Sequence, residues 1–216
     1  MKKIKIISLV MCAVLLISAA VAGTFAYLMD TDEAVNVFTV GNVKMLLDET
    51  DVDENGVKES DNRVKENTYH LVPGKEYIKD PTVTVLKGSE EAYVRMLVTI
   101  SDMADLKTVL GNDFLPENYI DGWDSNVWTC TSVKDNGDNT VTYEFRYKST
   151  VNAYKSSENI VLSPLFQKLT VPSELDGDEL DLIKEAKITV QGNAIQKSGF
   201  SSADDAWTAF EVQINK

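Results

Sequence analysis

Apolar and polar residues alternate along much of this chain. Ala92, Val94, Met96, Val98 and Ile100 share one face of a single run, with Tyr93, Arg95, Leu97 and Thr99 on the other. A period of two marks a half-buried strand, and this is the clearest β signal in the chain. Val35-Asn36-Val37-Phe38-Thr39-Val40 and Val43-Lys44-Met45-Leu46-Leu47 flank Gly41-Asn42, which predicts a strand with a glycine kink or bulge. Thr82 to Leu86, Leu165 to Val171 and Ala186 to Gln196 read as further strands. Val127 to Lys134 and Thr140 to Lys148 read as a hairpin, joined through Asp135-Asn136-Gly137-Asp138-Asn139. Leu71-Val72-Pro73-Gly74 predicts a turn, with Pro presetting φ and Gly accepting a positive one.

Helical periodicity is scarce. Asp102 to Leu110 predicts a short helix ended by Gly111. Ser202 to about Val212 predicts another, with Ser202 as N-cap, Asp204 and Asp205 in the first turn, and Ala206, Trp207 and Phe210 as its apolar stripe. Many short strands with few short helices argue a mainly β protein built as a two-sheet β-sandwich. The pattern does not reach a strand topology.

The N-terminus has a different pattern. Lys2, Lys3 and Lys5 precede an almost unbroken apolar run from Ile6 to Ala22, and Ala20-Val21-Ala22 and Thr24-Phe25-Ala26 then offer small-residue cleavage sites. That layout predicts a secretory signal peptide. Residues 1–26 are therefore read as the export segment and 27–216 as one β-sandwich domain, in contact with a membrane only before cleavage. Cys12 lies mid-run after Met11, which does not suit a lipidation signal. Cys130 is the other cysteine, so the processed chain holds no intramolecular disulfide; in its Trp128-Thr129-Cys130-Thr131 strand it is expected as a small buried hydrophobe.

Charge narrows the function. The formal net charge is −13, and cleavage removes three lysines and no acid. Such a surface repels phosphate backbones and argues against nucleic-acid binding. His70 is the single histidine, so an H-E-x-x-H zinc site cannot be built; no G-x-S-x-G elbow or glycine-rich phosphate loop is present, and no catalytic residue is assigned. Tyr69-His70 reads as the end of a strand. Asp51-Val52-Asp53-Glu54-Asn55-Gly56 matches the front half of a calcium loop. Asp51, Asp53, Asn55 and Glu59 would be its side-chain ligands, with the Val57 carbonyl between them. Its twelfth position is Asn62 rather than a bidentate Glu, and the alternative is a solvated acidic loop whose Asn-Gly is itself turn chemistry.

Gly23-Thr24-Phe25-Ala26-Tyr27-Leu28-Met29-Asp30, followed by Asn36-Val37-Phe38-Thr39-Val40-Gly41-Asn42-Val43, resembles the opening of proteins exported through the SipW-type signal peptidase, the TasA/camelysin family. Leu71-Val72-Pro73-Gly74 with Ala92-Tyr93-Val94-Arg95, and Ile188 to Gln196 with Ala206-Trp207, are similar to its later strands and tail. The resemblance implies cleavage between Ala26 and Tyr27, a jelly-roll-like sandwich, and a Gram-positive, secreted subunit of biofilm-matrix fibres. It also implies self-association through an N-terminal donor strand, here Val35, Val37, Phe38 and Val40 within residues 27–40, with Asp30, Asp32 and Glu33 as a solvated spacer. One branch of the family is labelled a metalloprotease. The alternatives to a structural subunit are therefore a secreted camelysin-type protease and a surface adhesin or binding module.

Overall fold

A computed structural model describes residues 29–32, 43–112 and 115–214, the first of these by backbone alone. Its strands are β1 (Met29–Asp32), β2 (Met45–Val52), β3 (Lys58–Val64), β4 (Glu76–Ile78), β5 (Thr82–Val85), β6 (Ala92–Ile100), β7 (Ile120–Asp121), β8 (Trp128–Asp135), β9 (Val141–Tyr147), β10 (Ile160–Val161), β11 (Lys168–Thr170) and β12 (Ile188–Gln196). The helices are α1 (Met103–Leu110), α2 (Gly177–Ile183) and α3 (Ala203–Ile214). The protein is mainly β, as the alternation predicts, and every strand pair is antiparallel.

A five-stranded sheet runs β1-β12-β6-β9-β8 and a four-stranded sheet runs β10-β5-β2-β3. A small third sheet, β4-β11-β7, adds to the two expected. The face of β6 read from the sequence is the core face: Ala92, Val94, Met96, Val98 and Ile100 are all buried, against Met45, Val83 and Val85 of the other sheet among their cluster. Burying each side chain of Val or Met size stabilises the fold by about 1.5–3 kcal/mol before ordering costs. The sheets approach closely at β12, where a Cβ on Gly192 would lie 2.5 Å from Met45 Cε.

The turns follow their residues. Gly74 and Gly137 take positive φ where the Pro-Gly turn and the Asn-Gly hairpin need it. Asp205 N donates to Ser202 Oγ, which caps α3 as expected. α3 lies on the outer face of the five-stranded sheet, where Ala206, Trp207 and Phe210 form a second small cluster with Ile195.

Three expectations need correction. Cys130 is exposed, because only Trp128 of β8 is buried. Tyr69-His70 lies in irregular chain rather than at a strand end. The stretch after Gly56 is no loop: residues 58–64 form β3, a wholly polar edge strand except for Val64.

Candidate functional site

The edge of the five-stranded sheet is built from both ends of the chain. β1 pairs with β12 over four rungs, from Met29↔Ile195 to Asp32↔Gly192. The sequence places Asp30 and Asp32 in a solvated spacer; their backbone instead sits in the ladder. β12 itself pairs with β6 along its whole length, Ile188↔Ile100 through Gln196↔Ala92. Among the described residues, no strand pairs with Ile188–Gln191 on the side away from β6. The expected cleavage residues Ala26 and Tyr27, and the donor-strand residues Val35, Val37, Phe38 and Val40, lie outside the described residues.

Beside that open stretch of β12 lies a cavity of about 860 Å³, whose walls include Leu47, Leu71, Leu106, Leu110, Ile188 and Val190. One wall is polar but closed. Lys79 Nζ donates to Glu49 Oε2 at 2.8 Å, and both residues are buried. Asn67 Nδ2 donates to Glu49 Oε1 at 3.0 Å and to the Thr50 carbonyl, and Val52 N donates back to Asn67 Oδ1. Tyr69 donates to the Ile78 carbonyl, and burial, together with the negative Glu49, pushes its phenol well above the ordinary tyrosine range. The rest of the lining mixes these apolar side chains with charged ones that include Lys65, Glu66, Lys184, Glu185 and Lys187, so the cavity suits an apolar segment edged by polar groups.

The acidic segment is a hairpin turn between β2 and β3. Asp53 Oδ1 accepts from Asn55 N at 2.9 Å and Val57 N at 2.8 Å, so its carboxylate shapes the turn. Lys75 Nζ donates to Asn55 Oδ1, and Ser60 Oγ donates to Asp51 Oδ2. Glu59 lies on β3. Asp51, Asp53 and Glu59 do not converge: among the described residues no three His, Cys, Asp or Glu side chains group as metal ligands. Gly56 has its own reason, a positive φ of 72° and a Cβ position only 2.8 Å from Tyr77 Cδ1. His70 is exposed; its N–H donates to the Glu54 carbonyl and its carbonyl accepts from the Tyr77 hydroxyl.

One cluster escapes the sequence reading. Arg95 points away from the core yet is 2 % exposed, its guanidinium carbon 4.5 Å above the Trp207 ring and 4.9 Å above Phe210. Its Nε donates to Asn193 Oδ1 at 3.0 Å, and its terminal nitrogens face Glu211 and Glu144. Arg146 pairs with Glu144 and with Asp204, which ties α3 to β9. The two motifs of the resemblance, Ala92-Tyr93-Val94-Arg95 and Ala206-Trp207, thus meet across the outer face of the sheet. The available signal was a charged residue facing opposite the core in the strongest strand, together with an amphipathic C-terminal helix that needs a surface to cover.

The model of the camelysin metallo-endopeptidase family matches residues 1–71. No curated protein and no solved structure matches the chain. The match takes in β1, β2 and β3, and the family it names is the one the N-terminal motifs resemble.

Proposed function

We propose that this protein is a secreted structural subunit of an extracellular matrix, which assembles by adding the N-terminal strand of one copy to the β12 edge of another. The observation that carries the reading is that edge: among the described residues a short β1 covers part of β12, and a cavity lined in part by apolar side chains lies beside the rest. A short edge strand held by four rungs exchanges between copies at little cost, since the same bonds form in either arrangement. Burying Val35, Val37 and Phe38 in a neighbour would contribute roughly 1.5–3 kcal/mol each before ordering costs. Removal of the signal peptide by a SipW-type peptidase would free this end, so export would gate assembly.

A second reading is favoured by the family's name, an endopeptidase. The single histidine, and the scatter of acids among the described residues, support a structural role over that one. An adhesin remains the third class, distinguished by binding host matrix without forming polymer.

Purified chain beginning at Tyr27 should form fibres visible by electron microscopy, and Val37→Asp should prevent them. Fibres of unchanged yield in the variant would overturn strand addition. Casein cleavage by the same preparation, abolished by a chelator and restored by zinc, would overturn the structural role.

A further inference from the structure

Glu49 joins two groups that can react with each other. Its Oε2 accepts from the Lys79 ammonium at 2.8 Å and its Oε1 from the Asn67 carboxamide at 3.0 Å. An amine and an amide thus stand on the two oxygens of one carboxylate. Burial sets this ion pair apart: Lys79 is 8 % and Glu49 5 % exposed, whereas the pairs of Lys58, Lys168, Lys184 and Lys197 lie open to solvent. A buried ion pair adds little net stability, because desolvation offsets its attraction. Stability alone therefore does not account for a lysine at this place. The carboxamide is held in one orientation. Its Nδ2 faces two acceptors, Glu49 Oε1 and the Thr50 carbonyl, and its Oδ1 accepts from Val52 N at 3.1 Å.

We propose that Lys79 and Asn67 condense into an intramolecular isopeptide bond, with Glu49 as the base. Lys79 Nζ gives a proton to Glu49 and attacks Asn67 Cγ, while the Val52 N–H stabilises the charge that develops on Oδ1. A Nζ–Cγ bond forms and the Cγ–Nδ2 bond breaks. Of the two protons that the ammonium loses, one leaves with Nδ2 as ammonia and the other stays on Glu49. The carboxylate becomes a neutral acid, so the ion pair disappears without leaving an unpaired buried charge. The step needs no oxidant and no second substrate. Amines attack carboxamides slowly in water, and holding both groups on one carboxylate makes the encounter unimolecular. Glu49, Asn67, Tyr69 and Lys79 all line the cavity, which gives ammonia a way out. The bond closes a ring from residue 67 to residue 79 that contains the Pro73-Gly74 turn and β4. It staples the fold covalently where the free Cys130 cannot.

The mature protein, incubated folded and then unfolded for intact-mass measurement, should be lighter than its sequence by one ammonia. Trypsin does not cut after an acylated lysine, so residues 66–75 should emerge joined to residues 76–87, with the branch at Asn67 and Lys79. Lys79→Arg keeps a cation against Glu49 but supplies no attacking amine, and Asn67→Ala removes the group attacked; both should show their full sequence mass. Glu49→Gln should lower the yield of the joined peptide by at least about tenfold, and an equal yield there would refute Glu49 as the base. A parent protein that keeps its full mass through prolonged incubation would overturn the proposal. So would a loss of ammonia that persists in Lys79→Arg, which would assign it to a succinimide at Asn55 or Asn136, each followed by glycine. Should the variants fail to fold, the joined peptide of the parent decides by its presence or absence.

Discussion

Replacing Arg95 by methionine tests how the outer layer is held. The guanidinium is 2 % exposed and faces the side chains of Glu144, 14 % exposed, and Glu211, 48 % exposed. Breaking a buried ion pair from one side costs about 3–5 kcal/mol, because the remaining charge loses its partner without regaining water. Here two features lower the cost. Glu211 is half in solvent and can turn outward, and Glu144 keeps Arg146 as a partner. Asn193 Oδ1, itself buried, loses its donor, and the stacked Trp207 and Phe210 rings lose a cation. Arg95→Met should therefore destabilise by about 3 kcal/mol, or roughly 6–12 °C in Tm for a domain of this size. Glu211→Gln should cost under about 1 kcal/mol, as a half-exposed pair does. Urea unfolding followed by tryptophan fluorescence reads both, and the double variant should cost less than the sum. An Arg95→Met protein within about 1 kcal/mol of the parent, or no worse than Glu211→Gln, would refute the reading of Arg95 as the anchor of α3.

Gly56→Ala should cost about 2–4 kcal/mol by thermal denaturation, since it combines a left-handed backbone with contact against Tyr77, whereas Gly74→Ala meets only Ser173 Cβ at 3.3 Å and should cost less. Calcium at millimolar concentration should leave Tm unchanged, because turn amides, Lys75 and Ser60 already use the oxygens of Asp53, Asn55 and Asp51; a rise that Asp51→Ala abolishes would establish a site there. Burial raises the phenols of Tyr69 and Tyr77, so the folded protein holds those protons more tightly than the unfolded chain. Their contribution is whole below the unfolded tyrosine value of about 10 and is lost as pH rises above it. Urea midpoints measured from pH 8 upward should fall steeply beyond that point, and less steeply in Tyr69→Phe.

Patterns that report a single strand were legible, and patterns that depend on what lies across from it were not. The β6 alternation identified the core face correctly because Ala92, Val94, Met96, Val98 and Ile100 are all apolar, whereas the other face mixes Arg95 and Thr99 with Tyr93 and Leu97. The same reasoning placed Cys130 inside, because alternation along β8 does not say whether the opposing sheet reaches that far. β3 escaped because Lys58 to Arg63 has no apolar period; its partner β2 and the Asp53 turn make it a strand. α2 had a readable signal that went unused: Asp176 and Glu179 form a reciprocal capping box. Of the candidate residues, the acids of the β2–β3 turn matched a ligand spacing, but the spacing serves the turn. Arg95 reads from the sequence as one residue of the far face of a strand and of a motif, without its role, since its partners Asn193 and Glu211 lie in the last strand and helix.

The register of β12 against β6 also bears on timing. That ladder joins the middle of the chain to its end, so the spine of the five-stranded sheet cannot close until residue 196 has been made. Pairings between such distant segments carry the largest loop-closure entropy and form late. β1, the first described strand to be synthesised, must therefore wait for the last strand before its own docking edge exists. The N-terminal strand thus has no intramolecular ladder to join until nearly the whole chain has been made.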